Sequence, residues 1–140
     1  MATSLSLKSL LVPSKTVEVD YPGLSGFVLH LAFLSRETLV NIRKKATKVS
    51  FKKNQPVEEL DEPLFLQLYV GAAIKGWKGL TLEHLNTLAP VDVTGLDLAQ
   101  ELPYSADDAL NLMKSSSDFD SFISNTVADL SNFTKSSTPT

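Results

Sequence analysis

The stretch Thr16-Val-Glu-Val-Asp-Tyr-Pro-Gly-Leu-Ser-Gly-Phe-Val-Leu-His-Leu-Ala-Phe33 decides the fold class of this chain. Thr16 to Asp20 alternates polar and apolar residues, the period of a half-buried strand. Tyr21-Pro-Gly-Leu-Ser-Gly26 supplies turn residues, and Phe27, Leu29, Leu31 and Phe33 then recur at every second position. The spacing predicts a β-hairpin over residues 16–33, apolar on one face because successive side chains of a strand point to opposite sides. That face needs a cover, and the rest of the chain reads as helices.

Downstream, Ser35 is a good N-cap for a helix over 36–48, where Leu39, Ile42, Ala46 and Val49 fall at helical spacing. Lys52-Lys-Asn-Gln-Pro56 interrupts the pattern. Asp61-Glu-Pro63 starts a second helix, predicted over 63–75, with proline in the first turn, where its missing N–H costs nothing. Leu64 to Ile74 is apolar on every side, the pattern of a helix buried all round at the centre of the core. Gly76-Trp-Lys-Gly79 is expected to end it, since glycine most readily takes the left-handed geometry of a helix C-terminus.

Thr81 caps a short helix over 81–89 carrying Leu82, Leu85 and Leu88 and closed by Pro90, and residues 91–102 read as an ordered loop. Ser105 and Asp108 resemble a capping box for a helix over 106–114 with Leu110 and Met113 inward. Ser115-Ser-Ser117 separates it from a last helix over 117–133, in which Phe119, Phe122, Ile123, Val127, Leu130 and Phe133 form one stripe at offsets 0, 3, 4, 8, 11 and 14. Residues 1–15 are expected to be a flexible leader and 134–140 a disordered tail. The expectation is one α+β domain over 16–133, an N-terminal β-hairpin packed on a predominantly α-helical bundle.

The composition agrees with a globular domain. The chain has 140 residues, 43% hydrophobic and 21% charged, and a domain of this size buries roughly 70% of the surface its unfolded chain exposes. Absence of cysteine removes disulfides, thiolate metal sites and cysteine nucleophiles. The opening residues show no basic region followed by a long apolar run, so no export signal is read. Nor does any apolar stretch approach the roughly 20 residues that cross a bilayer. Charge is uneven: residues 1–80 hold 11 Lys/Arg against 7 Asp/Glu, and residues 81–140 hold 2 against 9. Such asymmetry can orient copies head to tail, although two differently solvated faces of one domain read the same way.

Little points to chemistry. His30 sits in a strand pattern and His84 in a short helix, neither with a second ligand at metal spacing. Glu58-Glu-Leu-Asp-Glu62 lacks the glycine turn and ligand alternation of a calcium loop, and carboxylates at a helix N-terminus have a dipole explanation. There is no phosphate-binding glycine loop and no nucleophile elbow. The reading is a non-enzyme with no cofactor and no metal. Arg43, Lys44, Lys45, Lys48, Lys52 and Lys53 form a basic run of the kind that contacts nucleic acid, but the acidic overall balance and the place of cations at a helix C-terminus favour a solvated helix end, and neither a nucleic-acid nor a membrane partner is expected. Trp77 between Lys75 and Lys78 reads as a core lid or, alternatively, as a stacking or partner-facing residue. The terminal stripe reads as core or, alternatively, as an apolar face for another protein's groove. Trp77, Phe119, Phe122, Ile123, Val127, Leu130 and Phe133 are therefore the candidate partner-binding residues.

Three strings carry a resemblance: Gly76-Trp-Lys-Gly-Leu80, Leu102-Pro-Tyr-Ser-Ala-Asp-Asp-Ala-Leu110 and Asp118-Phe-Asp-Ser-Phe122. With Asp20-Tyr-Pro-Gly23, Gly26-Phe-Val-Leu-His-Leu31 and Leu34-Ser-Arg-Glu37, they make the chain resemble tail assembly chaperones of long-tailed, siphophage-type bacteriophages over about residues 17–133. It departs in the Thr81–Glu101 stretch, longer than the short glycine-bearing link of the family pattern. The resemblance implies a host-cytoplasmic protein that coats the phage tape measure protein, associates with itself, and is absent from the mature virion. It implies too that a frameshifted longer form recruits the major tail tube protein. The alternatives from the residues themselves are a small phage nucleic-acid-binding or regulatory protein using residues 43–53, or a structural tail component.

Overall fold

The computed structural model describes residues 6–10 and 15–134. Of the expected leader, one helical turn, α1 (Leu7–Leu10), is described; residues 1–5 and 11–14, and 135–140 of the expected tail, lie outside the described residues.

The hairpin forms as its alternation requires. Strand β1 (Thr16–Asp20) pairs antiparallel with β2 (Val28–Ala32), from Thr16 opposite Ala32 to Asp20 opposite Val28. On β2, Leu29 and Leu31 are fully buried while His30 points to solvent. A third strand, β5 (Ile74–Lys78), lies on the other side of β2, with Leu29 opposite Trp77, giving the order β1-β2-β5. The helix expected over 63–75 therefore runs from Glu62 to Ala73 as α3, and the glycine-tryptophan string is strand, not a helix end. The physical reason is pairing: β2 already had a free edge, and Ile74 and Trp77 suit a pleated, half-buried surface. Gly79, just beyond β5, does take a left-handed backbone at φ +75°.

The helix expected over 36–48 is corrected in the same way. Helix α2 (Arg36–Ala46) starts at Ser35, whose hydroxyl accepts the Thr38 N–H at 3.2 Å. The chain then enters β3 (Thr47–Lys52), turns, and returns as β4 (Gln55–Leu60), a separate two-stranded sheet. Lys53 and Asn54 both have positive φ, 53° and 64°, the signature of the type I′ turn whose twist matches a two-residue hairpin. What reads as an interruption at Lys52–Pro56 is thus a turn, and Val49 belongs to a strand.

Helix α3 starts as expected, with the Asp61 carboxylate accepting the Leu64 N–H at 3.2 Å and proline in the first turn. It is not buried all round: Val70 and Ala73 are buried, while Leu64, Phe65, Leu66, Leu68 and Tyr69 are half-exposed. It packs against α2, α5, β2 and β5, and these neighbours leave part of its surface open to solvent.

Helix α4 (Leu82–Leu88) is followed by an irregular but ordered segment and by α5 (Ala106–Ser115), capped by Ser105, whose hydroxyl accepts the Asp108 N–H at 3.1 Å. Ser116 ends α5 and caps α6 (Ser117–Ala128), its hydroxyl accepting the Phe119 N–H at 3.2 Å. The last helix is shorter than the stripe implies. It stops at Ala128, the Asp129 carboxylate takes the Ser131 N–H at 3.0 Å, and a single turn, α7 (Ser131–Thr134), follows. The core lies where β2, α3, α5 and α6 meet, each fully buried Leu, Ile or Phe contributing about 1.5–3 kcal/mol.

Candidate functional site

The seven-residue connection between β1 and β2 folds back as two linked turns, with Tyr21 N–H donating to Phe27 O at 2.9 Å and Phe27 N–H to Leu24 O at 3.2 Å. Gly23 and Gly26 take positive φ, 82° and 86°, which glycine permits without strain. This geometry brings the Tyr21 ring over the core. Tyr21 lies 5.6 Å from Phe27 and 6.1 Å from Phe119, near-parallel, and 4.8 Å from Phe122, tilted. Burial, and then the Asp118 carboxylate, push the Tyr21 hydroxyl above the ordinary tyrosine pKa.

Beside this aromatic stack runs a groove of about 330 Å³, lined by Tyr21, Pro22, Gly23, Leu24, Thr87, Leu88, Asp118 and Phe122. Its walls come from the β1–β2 turn, the end of α4 and the start of α6. The floor is apolar, Leu24, Leu88 and Phe122 being half-buried, and one carboxylate stands at the rim. A recess this size has room for one or two side chains.

The sequence candidates divide sharply. Phe119, Ile123, Val127 and Phe133 are core, at 0, 0, 1 and 6% exposure. Phe122 is half-buried and faces the groove, and Leu130 is exposed at 48% where the helix has broken. Trp77 is a lid: half-buried, it donates its ring N–H to Leu102 O at 3.0 Å and meets Tyr104 edge-on at 5.1 Å. Tyr104 in turn donates to Ile74 O at 3.1 Å, and burial raises its hydroxyl pKa. Tyr21, Leu24 and Leu88 were not singled out from sequence; Tyr-Pro-Gly reads as turn punctuation, and only the fold sets it against α4 and α6.

His84 has a structural place. Thr81 Oγ1 accepts the His84 N–H at 3.1 Å, and His84 Nδ1 lies 3.1 Å from Gly79 O, tying the end of β5 to the start of α4. The acidic string is dispersed: Glu58 and Glu59 lie on β4, Asp61 caps α3 and Glu62 is in its first turn. No group of three or more potential metal ligands occurs among the described residues. In the basic run, Arg43, Lys44 and Lys45 end α2, while Lys48 and Lys52 share one face of the β3–β4 ribbon and Phe51 lies on the other.

The fold is α+β, with an open apolar recess among the described residues. The chain belongs to the YdaY prophage protein family, which it matches over residues 32–139, and is therefore phage-derived. The match takes in everything from the end of β2 onward. No curated protein and no solved structure matches the chain. No helix among the described residues is long and apolar enough to cross a membrane.

Proposed function

We propose that this prophage protein is a tail assembly chaperone, which binds the tape measure protein in the host cytoplasm, keeps it soluble during tail morphogenesis, and is absent from the mature virion. It acts by binding and carries out no reaction. The observation that carries this reading is the open groove floored by Leu24, Leu88 and Phe122. Membership of a prophage family and the resemblance of the Trp77, Leu102–Leu110 and Asp118–Phe122 strings support it.

A tape measure protein exposes long apolar helical stripes before the tube forms, and such surfaces aggregate unless covered. A shallow groove that accepts one or two side chains binds each point weakly. Many copies along one stripe then hold by avidity, and each leaves readily when tube subunits arrive. A longer frameshifted form, with an extension that recruits the major tail tube protein, fits the same scheme.

Co-expression with the tape measure protein from the same prophage tests the proposal. The expected result is a soluble complex with several chaperone copies per target chain. Pairing Leu24→Ser with Phe122→Ala should abolish solubilisation while far-UV circular dichroism stays unchanged. Aggregation of the target beside the unaltered protein overturns the chaperone reading; retained solubility with the double variant moves the site away from the groove.

A further inference from the structure

Among the described residues five strands form two sheets with four edges, and two of these edges are bare. Phe33 N–H donates to Lys15 O and Tyr21 N–H to Phe27 O. In the β1–β2 register the odd-numbered residues of β1 therefore bond β2, while Thr16, Glu18 and Asp20 turn their N–H and C=O groups outward. On the arm, Asp61 N–H donates to Ala46 O, so the even-numbered residues of β3 bond β4, and Val49 and Phe51 turn theirs outward. None of these outward groups has a hydrogen bond among the described residues. The other two edges are protected. Strand β5 is flanked by residues 101–104, Tyr104 donating to Ile74 O at 3.1 Å and Glu101 accepting the Gly79 N–H at 2.9 Å. Strand β4 turns Pro56 outward, which has no N–H to offer to an added strand.

The two bare edges carry matching side chains. On β1, Glu18 and Asp20 lie on the exposed face of the sheet, and Val17 and Val19 lie half-buried on the face towards the core. On β3, Lys48 and Lys52 lie on one face and Val49 and Phe51 on the other, the last two 58% and 75% exposed. Only one direction of pairing aligns these faces. Antiparallel edges set outward-turned residues directly opposite one another, which would put Glu18 beside Val49 and leave the lysines beside Val17 and Val19. Parallel edges offset the pairing by one residue, so an outward-turned residue of one strand stands opposite an inward-turned residue of the other. Acid then meets lysine on one face, and apolar meets apolar on the other.

We infer that β3 of one copy of this chain adds in parallel to β1 of the next copy, residues 48–52 beside residues 16–20. This register puts Asp20 opposite Lys52, Thr16 opposite Lys48, and Glu18 diagonal to both lysines. Val17 and Val19 stand opposite Val49 and Phe51. The product is one continuous sheet across two copies, in the order β4-β3-β1-β2-β5, and it gives the arm the further strands that a two-stranded ribbon needs to be stable in water. Asp20 and Lys48 have no ion pair among the described residues; Lys52 to Glu59 at 2.7 Å and Glu18 to Lys78 at 3.7 Å are solvent-exposed pairs that regroup at little cost. Glu58 lies on β4, one strand further from β1. Like edges do not serve, because β1 on β1 sets Glu18 and Asp20 against themselves, and β3 on β3 does the same with Lys48 and Lys52. A contact between different edges is heterologous, so copies add head to tail into rings or open helical arrays. It uses no residue that lines the groove and needs no tape measure protein.

Sedimentation velocity of the full chain tests it, with concentration-dependent growth past the dimer as the expected result. Val49→Pro gives β3 the proline that β4 already has, and Glu18→Pro does the same for β1. Both N–H groups point outward, so each variant should keep the parent circular dichroism spectrum and weaken association by about tenfold or more. Mixed in equal amounts, the two variants should form a discrete dimer, because one intact β1 then meets one intact β3. Cross-linking reads the register without any proline. The chain has no cysteine, and Thr16, Lys48 and Phe51 are exposed. Chains carrying Thr16→Cys and Lys48→Cys, mixed under mild oxidation, should form a disulfide about tenfold faster than chains carrying Thr16→Cys and Phe51→Cys, the pair an antiparallel contact would bring together. A monomeric parent, proline variants that associate like the parent, or a 16–51 cross-link that forms as fast as the 16–48 one each overturns the assignment.

Discussion

The β2–β5 sheet and the β3–β4 arm are both built from antiparallel strands, yet only one of them has a core. Leu29 and Leu31 on β2 are fully buried beneath α3, α5 and α6. On the arm, Val49 and Phe51 have the same alternation and stay bare. Ile42 and Ala46 of α2 are buried outside the main core cluster, so the arm grows from a satellite contact between α2 and α3. Identical local patterns thus serve opposite ends: one buries apolar surface to hold the fold, the other leaves it available.

The largest expected effect lies in the core. Phe119→Ala should cost about 3–5 kcal/mol, the range for emptying a fully buried aromatic site, measured by chemical denaturation. For the same reason removing residues 117–140 should unfold the domain, because Phe119, Ile123 and Val127 leave with them. A soluble, folded 1–116 fragment would break the distinction between core and arm.

Gly79→Ala comes next. A β-carbon there would be driven into the Gly26 carbonyl oxygen, on a backbone already left-handed. Strain of this kind is worth about 1–3 kcal/mol. Ser116→Ala removes the hydroxyl that caps α6 at a site 2% exposed and should lower stability by about 1–2 kcal/mol.

Changes in the arm should be small and local. Lys53→Gly relieves a positive φ in the turn and should stabilise the hairpin by up to about 1 kcal/mol. Amide hydrogen exchange should slow in β3 and β4 and remain unchanged in β2. Phe51→Ala should move global stability by less than about 0.5 kcal/mol, as exposed substitutions do. A loss near that of Phe119→Ala would mean that the arm belongs to the core after all.

Caps and turns were readable from sequence because they are local: Ser35, Asp61, Thr81 and Ser105 each accept an N–H three residues on, as their spacing predicts. The stripe on α6 was readable as a period, and its burial at Phe119, Ile123 and Val127 follows from that period. Of the groove, only Phe122 was legible. Tyr21, Leu24 and Leu88 come from segments with no shared pattern, and only long-range packing makes them neighbours.

The sequence alone determined the α+β class, the β1–β2 hairpin and the starts of α2 to α6, since these rest on alternation, turn chemistry and caps within a few residues. Tertiary structure decided where two helices give way to strand. Ile74–Lys78 extends because β2 offers an unpaired edge far back in the chain, at Leu29 opposite Trp77 and Leu31 opposite Ile74, and no local preference encodes that partner. It also decided which apolar faces are covered, because the same alternating pattern is core on β2, where α3, α5 and α6 arrive to bury it, and surface on β3, where nothing among the described residues does.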